Sequence, residues 1–206
     1  MTDWDLTPKP VGDSQVTLVQ LMEITDANIM GIVHGGVIMK LVDTAAGLAA
    51  LKHIKGLAVT VSVDEMSFLS PVRIGDTVTV KAAVNDVGET SLEIGVRVEA
   101  ENVLSGDQRH VSSAYLVFVA LDERGKPRPV PPIVAETPSQ LRRQREARIR
   151  RRTRLAHKEA IAAQRRDVDP DDAALARTPT PADPEPSADE QGDGDISLRN
   201  LPHLRR

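Results

Sequence analysis

Apolar positions along the chain change their period several times, and each change marks an element. The stretch from Gln15 to Glu23 reads as a first strand, and Asp26 to His34, with Asp, Asn and Gly and no period, reads as a loop. From Gly35 to His53 the run GGVIMKLVDTAAGLAALKH predicts a helix of about five turns. After Gly56 the segment Leu57 to Leu69 is strand-like, and Ser70-Pro71 with Ile74-Gly75-Asp76 supplies a turn. Two alternating strands follow, one with Val78, Val80, Ala82 and Val84 on a single face, the other with Leu92, Ile94, Val96 and Val98. A hairpin near Val87-Gly88-Glu89 joins them. Val111 to Leu121 is a more continuously apolar last strand that ends before Glu123-Arg124-Gly125.

The helix is apolar almost all round, with Val37, Ile38, Met39, Leu41, Val42, Ala45, Ala46, Leu48, Ala49 and Leu51. A helix of that kind has to be wrapped. The half-polar outer faces of the two hairpin strands fit an antiparallel sheet wet on one side. The fold class expected is therefore α+β: a curved five-stranded antiparallel sheet around one long central helix.

The pattern stops at the prolines Pro127, Pro129, Pro131, Pro132 and Pro138. The boundaries expected are a flexible N-terminus over 1–14, a folded domain over 15–126, a Pro-rich linker over 127–138, a basic segment able to form a helix over 139–166, and an acidic, Pro-rich disordered tail over 167–206. Charge is segregated in the same way. Residues 1–138 carry 11 Lys+Arg and 18 Asp+Glu, 139–166 carry 11 and 2, and 167–206 carry 4 and 10, so a formal net charge of -4 averages three different polymers. The basic segment could reach nucleic acid or an anionic surface, but it has no interleaved aromatic and no stripe of bulky apolar residues. A solvated helix pairing with the acidic tail is the favoured reading.

With no cysteine, disulfides, thiolate metal sites and thiol nucleophiles are excluded. No run approaches the roughly 18 apolar residues of a membrane span, and no signal-peptide pattern opens the chain, so a cytoplasmic location is expected.

Asp43 is the first residue to explain, because an isolated carboxylate among Leu41, Val42, Ala45 and Ala46 is costly unless paired or functional. Either it pairs with Lys40 at i, i+3, or it works with the helix start. There His34-Gly35-Gly36 leaves the first free N–H groups unshielded at the positive end of the helix dipole, which is what an oxyanion hole requires. Asp43 follows on the same side about 11 Å further along. That gap is too long for one reacting carbon, so a second copy of the helix would complete the site. His34 either bonds Asn28 or a substrate, or caps the loop. An ion pair between Glu65 and Arg73 and solvated positions for His53 and His110 are expected.

The segment from Asp26 to Asp43 (DANIMGIVHGGVIMKLVD), followed by Val59 to Phe68 (VTVSVDEMSF) and Pro71 to Asp76 (PVRIGD), closely resembles the acyl-CoA hydrolase branch of the hotdog-fold thioesterases. The resemblance covers about Val16 to Pro129 and leaves the tail untouched. It implies a hotdog fold, a homodimer with two interfacial sites, commonly as a trimer of dimers, and hydrolysis of fatty acyl-CoA to fatty acid and CoA. It also implies that Asp43 is general base or nucleophile, that Asn28 places water or thioester, and that the Gly35 and Gly36 amides polarise the carbonyl. No metal or separate cofactor is called for, since CoA is part of the substrate. Thr60, Ser62, Thr90 and Ser91, with His34, are weaker candidates for contacts to substrate and CoA. A non-catalytic acyl-CoA-binding regulator is the rival reading, although no helix-turn-helix is visible; a hotdog dehydratase ranks below it.

Overall fold

The computed structural model describes residues 4–166. The unit up to Ala160 holds the fold, and a second unit beginning at Ile161 is described only through Arg166. The expected disordered tail, 167–206, lies outside the described residues.

In chain order the elements are β1 (Lys9–Pro10), β2 (Val16–Leu21), α1 (Gly35–Ile54), β3 (Leu57–Phe68), β4 (Asp76–Val87), β5 (Ser91–Asn102), β6 (Gln108–Leu121), β7 (Ile133–Val134) and α2 (Pro138–Arg166). Five strands form one antiparallel sheet in the order β2-β4-β5-β6-β3. Alternation of the hairpin strands works as read: Val78, Val80, Ala82 and Val84 on β4, and Leu92, Ile94, Val96 and Val98 on β5, are all buried against α1. The fold is the α+β hotdog architecture expected, with the five-stranded sheet packed on one long helix.

The wrapping of α1 is one-sided in the protomer. Ile38, Val42, Ala45, Ala46, Ala49, Ala50 and Ile54 recur at intervals of three and four and are buried on the sheet. Elsewhere around the helix Met39, Leu48 and Leu51 stay 48%, 40% and 39% exposed. One sheet covers about half of a helix surface, so an all-round apolar helix has a second apolar face left over. Beside it runs β3, an edge strand with Val59, Val61 and Val63 exposed.

The ends of the expected domain also differ. Residues 9–14 are packed rather than free: Lys9 and Pro10 pair in parallel with Ile133 and Val134, and Val11 and Ser14 are buried. The proline segment 127–138 is likewise part of the fold, with Arg128 and Val130 buried. Both straps close the C-terminus of α1. Lys9 Nζ donates to the His53 carbonyl at 2.9 Å, and Arg128 Nη2 donates to the Ile54 carbonyl at 2.9 Å, which places two cations at the negative end of the helix dipole. Gly56 makes room for the second, because a Cβ there would collide with the Arg128 guanidinium.

The outer face of the sheet is dry where α2 crosses it. Ala147 is buried there, Arg148 and Gln144 reach Asp86, and Arg150 Nη2 donates to Glu93 Oε1 at 2.6 Å. The arginines of α2 thus pair with carboxylates of the sheet, which the reading of a solvated outer face missed.

Candidate functional site

The helix start is held by its own loop. His34 is the N-cap of α1 and its Nδ1 accepts the Gly36 N–H at 2.9 Å, while its carbonyl accepts from Val37 N–H. His34 thus caps the helix, and it makes no bond to Asn28 among the described residues. The Gly36 amide, expected as a carbonyl donor, is engaged within the protein, whereas the Gly35 N–H has no acceptor among the described residues. Asn28 ties the preceding loop into a turn, its Oδ1 accepting from Met30 N–H at 2.8 Å and Ile32 N–H at 3.4 Å. Gly31, at φ 73°, supplies the left-handed residue that this turn needs. The Asn28 Nδ2 donors meet no acceptor among the described residues. Asn28 and Gly35 line one groove of ≈ 310 Å³ together with Ile32, Ile38, Phe68 and Val111. Its lining residues are mostly apolar, and Asn28 and Gly35 among them each carry an unengaged donor.

Asp43 lies two turns along α1 and is exposed rather than buried, at the margin where the helix meets the edge strand β3. Its partner is not Lys40 but Thr60 of β3, whose Oγ1 donates to Asp43 Oδ1 at 2.8 Å. A carboxylate fixed through one oxygen keeps the other free for a proton. Thr60 was expected as a contact to substrate; its bond to Asp43 spans 17 residues of chain and has no local signal.

The remaining candidates lie elsewhere. Ser62 Oγ donates to Asp64 Oδ1 at 3.0 Å, on the α2 side of the sheet, away from Asp43. Ser91 lies beside Asp86, Arg151 and Arg154 under α2, and the Thr90 carbonyl accepts from Ala120 N–H. The protomer brings neither to Asp43. Glu65 and Arg73 make no ion pair with each other among the described residues. His110 Nε2 bonds the Ser112 carbonyl and Ser113 Oγ, each at 3.0 Å. His53 is wholly buried rather than solvated.

The site therefore has two halves. One offers an amide N–H and a carboxamide in an apolar groove; the other offers a carboxylate oriented by a hydroxyl. Together they could polarise a carbonyl and take a proton from water.

Comparison with known proteins bears on this chemistry. The thioesterase superfamily model matches residues 30–106. A mouse cytosolic acyl coenzyme A thioester hydrolase is 38% identical over 149 residues, 70% of this chain and 39% of its own length, so the chain spans about two fifths of that relative. An uncharacterized acyl-CoA thioester hydrolase of Bacillus subtilis is 33% identical over 153 residues, 73% of this chain and 89% of that protein. Among solved structures, an apo-hexameric acyl-CoA thioesterase superposes with a TM-score of 0.72 at 33% identity, covering 74% of this chain and 97% of its own.

Proposed function

Because this chain belongs to the acyl-CoA thioester hydrolase branch of the hotdog thioesterases, we propose that it hydrolyses an acyl-CoA to the carboxylic acid and coenzyme A. The observation that carries the reading is the hydrogen bond from Thr60 Oγ1 to Asp43 Oδ1, two helical turns from the unengaged Gly35 N–H. Asp43 acts as general base. It takes a proton from a water that attacks the thioester carbon, while Thr60 keeps the carboxylate turned toward that water. The carbonyl oxygen, as it becomes an oxyanion, is met by the Gly35 N–H at the positive end of α1 and by Asn28 Nδ2. Collapse of the tetrahedral intermediate breaks the C–S bond and releases CoA as the thiol.

Asp43 and Gly35 of one protomer are too far apart along the helix to share one carbonyl. The site is completed in a homodimer, with Asp43 of one protomer opposite Gly35 and Asn28 of its partner, and two sites per dimer. The open face of α1 and the unpaired edge of β3 support this, since an exposed apolar edge strand invites pairing with a second copy. A trimer of such dimers is proposed by analogy with the hexameric relative. No helix among the described residues is long and apolar enough to cross a membrane, and a cytosolic location is proposed from the mouse relative.

A thiol-release assay over straight-chain acyl-CoAs from acetyl to palmitoyl tests the reading. Release of CoA with matching free acid for part of the series is expected. Tight binding of acyl-CoA with no release of thiol from any of them would instead favour a non-catalytic binding protein.

A further inference from the structure

The strand that carries Thr60 departs from regular pairing twice. Thr60 stands opposite Phe118, Ser62 opposite Val117, Val63 opposite Leu116, Glu65 opposite Tyr115 and Met66 opposite Ala114, so Val61 and Asp64 are the extra residues of two bulges. Residues directly opposite in an antiparallel pair share a face. Phe118, Leu116 and Ala114 belong to the core beneath α1, so Thr60, Val63 and Met66 share the α1 side at a spacing of three. Strict alternation would send Thr60, Ser62, Asp64 and Met66 to one face, setting a second carboxylate beside the core.

The bulges leave Ser62 and Asp64 on the other side, where α2 meets them. Ser62 Oγ donates to Asp64 Oδ1, and Arg154 Nη1 donates to Asp64 Oδ2. The side chains of Arg154 and Asp64 are 17% and 12% exposed, so losing either would strand the other charge in a poorly solvated place. From the same helix Arg150 lies over the Tyr115 ring at 3.6 Å and braces the neighbouring strand at the second bulge. Within the protomer β3 is an edge strand with β6 as its one neighbour among the described residues, and two bulges interrupt that ladder. Its register therefore depends on contacts outside the ladder.

We propose that Arg154 is a positioning residue: through Asp64 it holds the double bulge of β3 in the register that turns Thr60 Oγ1 toward Asp43. The proposal rests on Asp43 being the base. Arg154 acts through two other side chains.

The experiment is a mutant cycle in the full-length protein, with a thermal melt on every variant. Arg154→Met is expected to lower kcat about tenfold with KM changed by less than about twofold, and Arg154→Lys to recover most of the loss. Thr60→Val is expected to lose a similar factor. The double variant should be no slower than Thr60→Val alone, since both changes release the same oxygen of Asp43. Arg148→Met, which removes an ion pair to Asp86 on β4 instead, should keep the parent's kcat. If Arg154→Met does not fold, Asp64→Asn replaces it in the cycle with the same expectation. Unchanged kcat in the folded variant, or losses that multiply in the double variant, overturns the proposal. So does full activity in Thr60→Val, and if Asp43→Asn is then inactive the reading of Asp43 survives. An active Asp43→Asn removes both.

Discussion

The ring of His53 is fully buried, with Nε2 bonded to the Pro131 carbonyl at 2.8 Å and no partner for Nδ1 among the described residues. Burial pushes its pKa below the ordinary 6.5, Pro131 partly offsets this, and the Lys9 ammonium adds to the lowering. The folded protein therefore keeps His53 neutral where the unfolded chain would protonate it. Stability from this group is complete above about pH 6.5 and is lost as the pH falls below that value toward the depressed folded pKa. The melting temperature should drop between pH 7 and 5, and His53→Gln, which cannot titrate, should flatten that slope. Glu99, held low by Lys81 and Arg97, and Asp122, held low by the Lys126 and Arg124 amides, give up their share only at more acid pH. None of this was visible locally, since His53 follows Leu51-Lys52 like any solvated helix end. What buries it is a proline strap about 80 residues away in sequence. His34 shows the opposite case: capping was one of the two roles its place before two glycines allowed, and Nδ1 accepts the Gly36 N–H.

At the scale of elements, α1 and the strands β2 to β6 were legible because each buries one face and the period follows from that. The bulges were not, since an inserted residue changes which side chains share a face without changing composition. In β4 the bulge near Asn85 brings Asp86 opposite Glu93, two buried carboxylates directly across a ladder. Such a pair repels unless cations lie between, and Arg148 and Arg150 of α2 provide them. The sequence holds both an Arg-dense helix and outward acids on a hairpin, and their match in charge is the signal for this contact. The packing under α2 is close: a Cβ on Gly95 would overlap the Asn85 carboxamide, which itself donates to Glu93 at 3.3 Å. Gly95→Ala should cost about 1–3 kcal/mol in urea unfolding, since the added methyl displaces a buried polar group. A loss within error of zero would mean that Asn85 can move freely and that the network under α2 is slack.

For the whole molecule, the all-round apolar surface of α1 calls for wrapping, and one protomer's sheet covers only part of it. Part of that surface meets the sheet; Met39, Leu48 and Leu51 stay exposed, and β3, whose Thr60 bonds Asp43, is an open edge. If a second copy covers this face and completes the site, Leu51→Asp should shift the protein toward monomer in sedimentation and lose activity in parallel, because a charge buried across a two-fold interface meets its own copy. A stable monomer with full turnover would sink the two-chain site. The proposed chemistry, though, turns on one carboxylate. Asp43→Asn keeps the size and the hydrogen bond from Thr60 but cannot accept a proton from water, so the most direct measurement is thiol release by that variant beside its affinity for CoA. Loss of about 100-fold or more in kcat, with CoA affinity and melting temperature kept, is what a general base predicts. Turnover within a few-fold of the parent would contradict it.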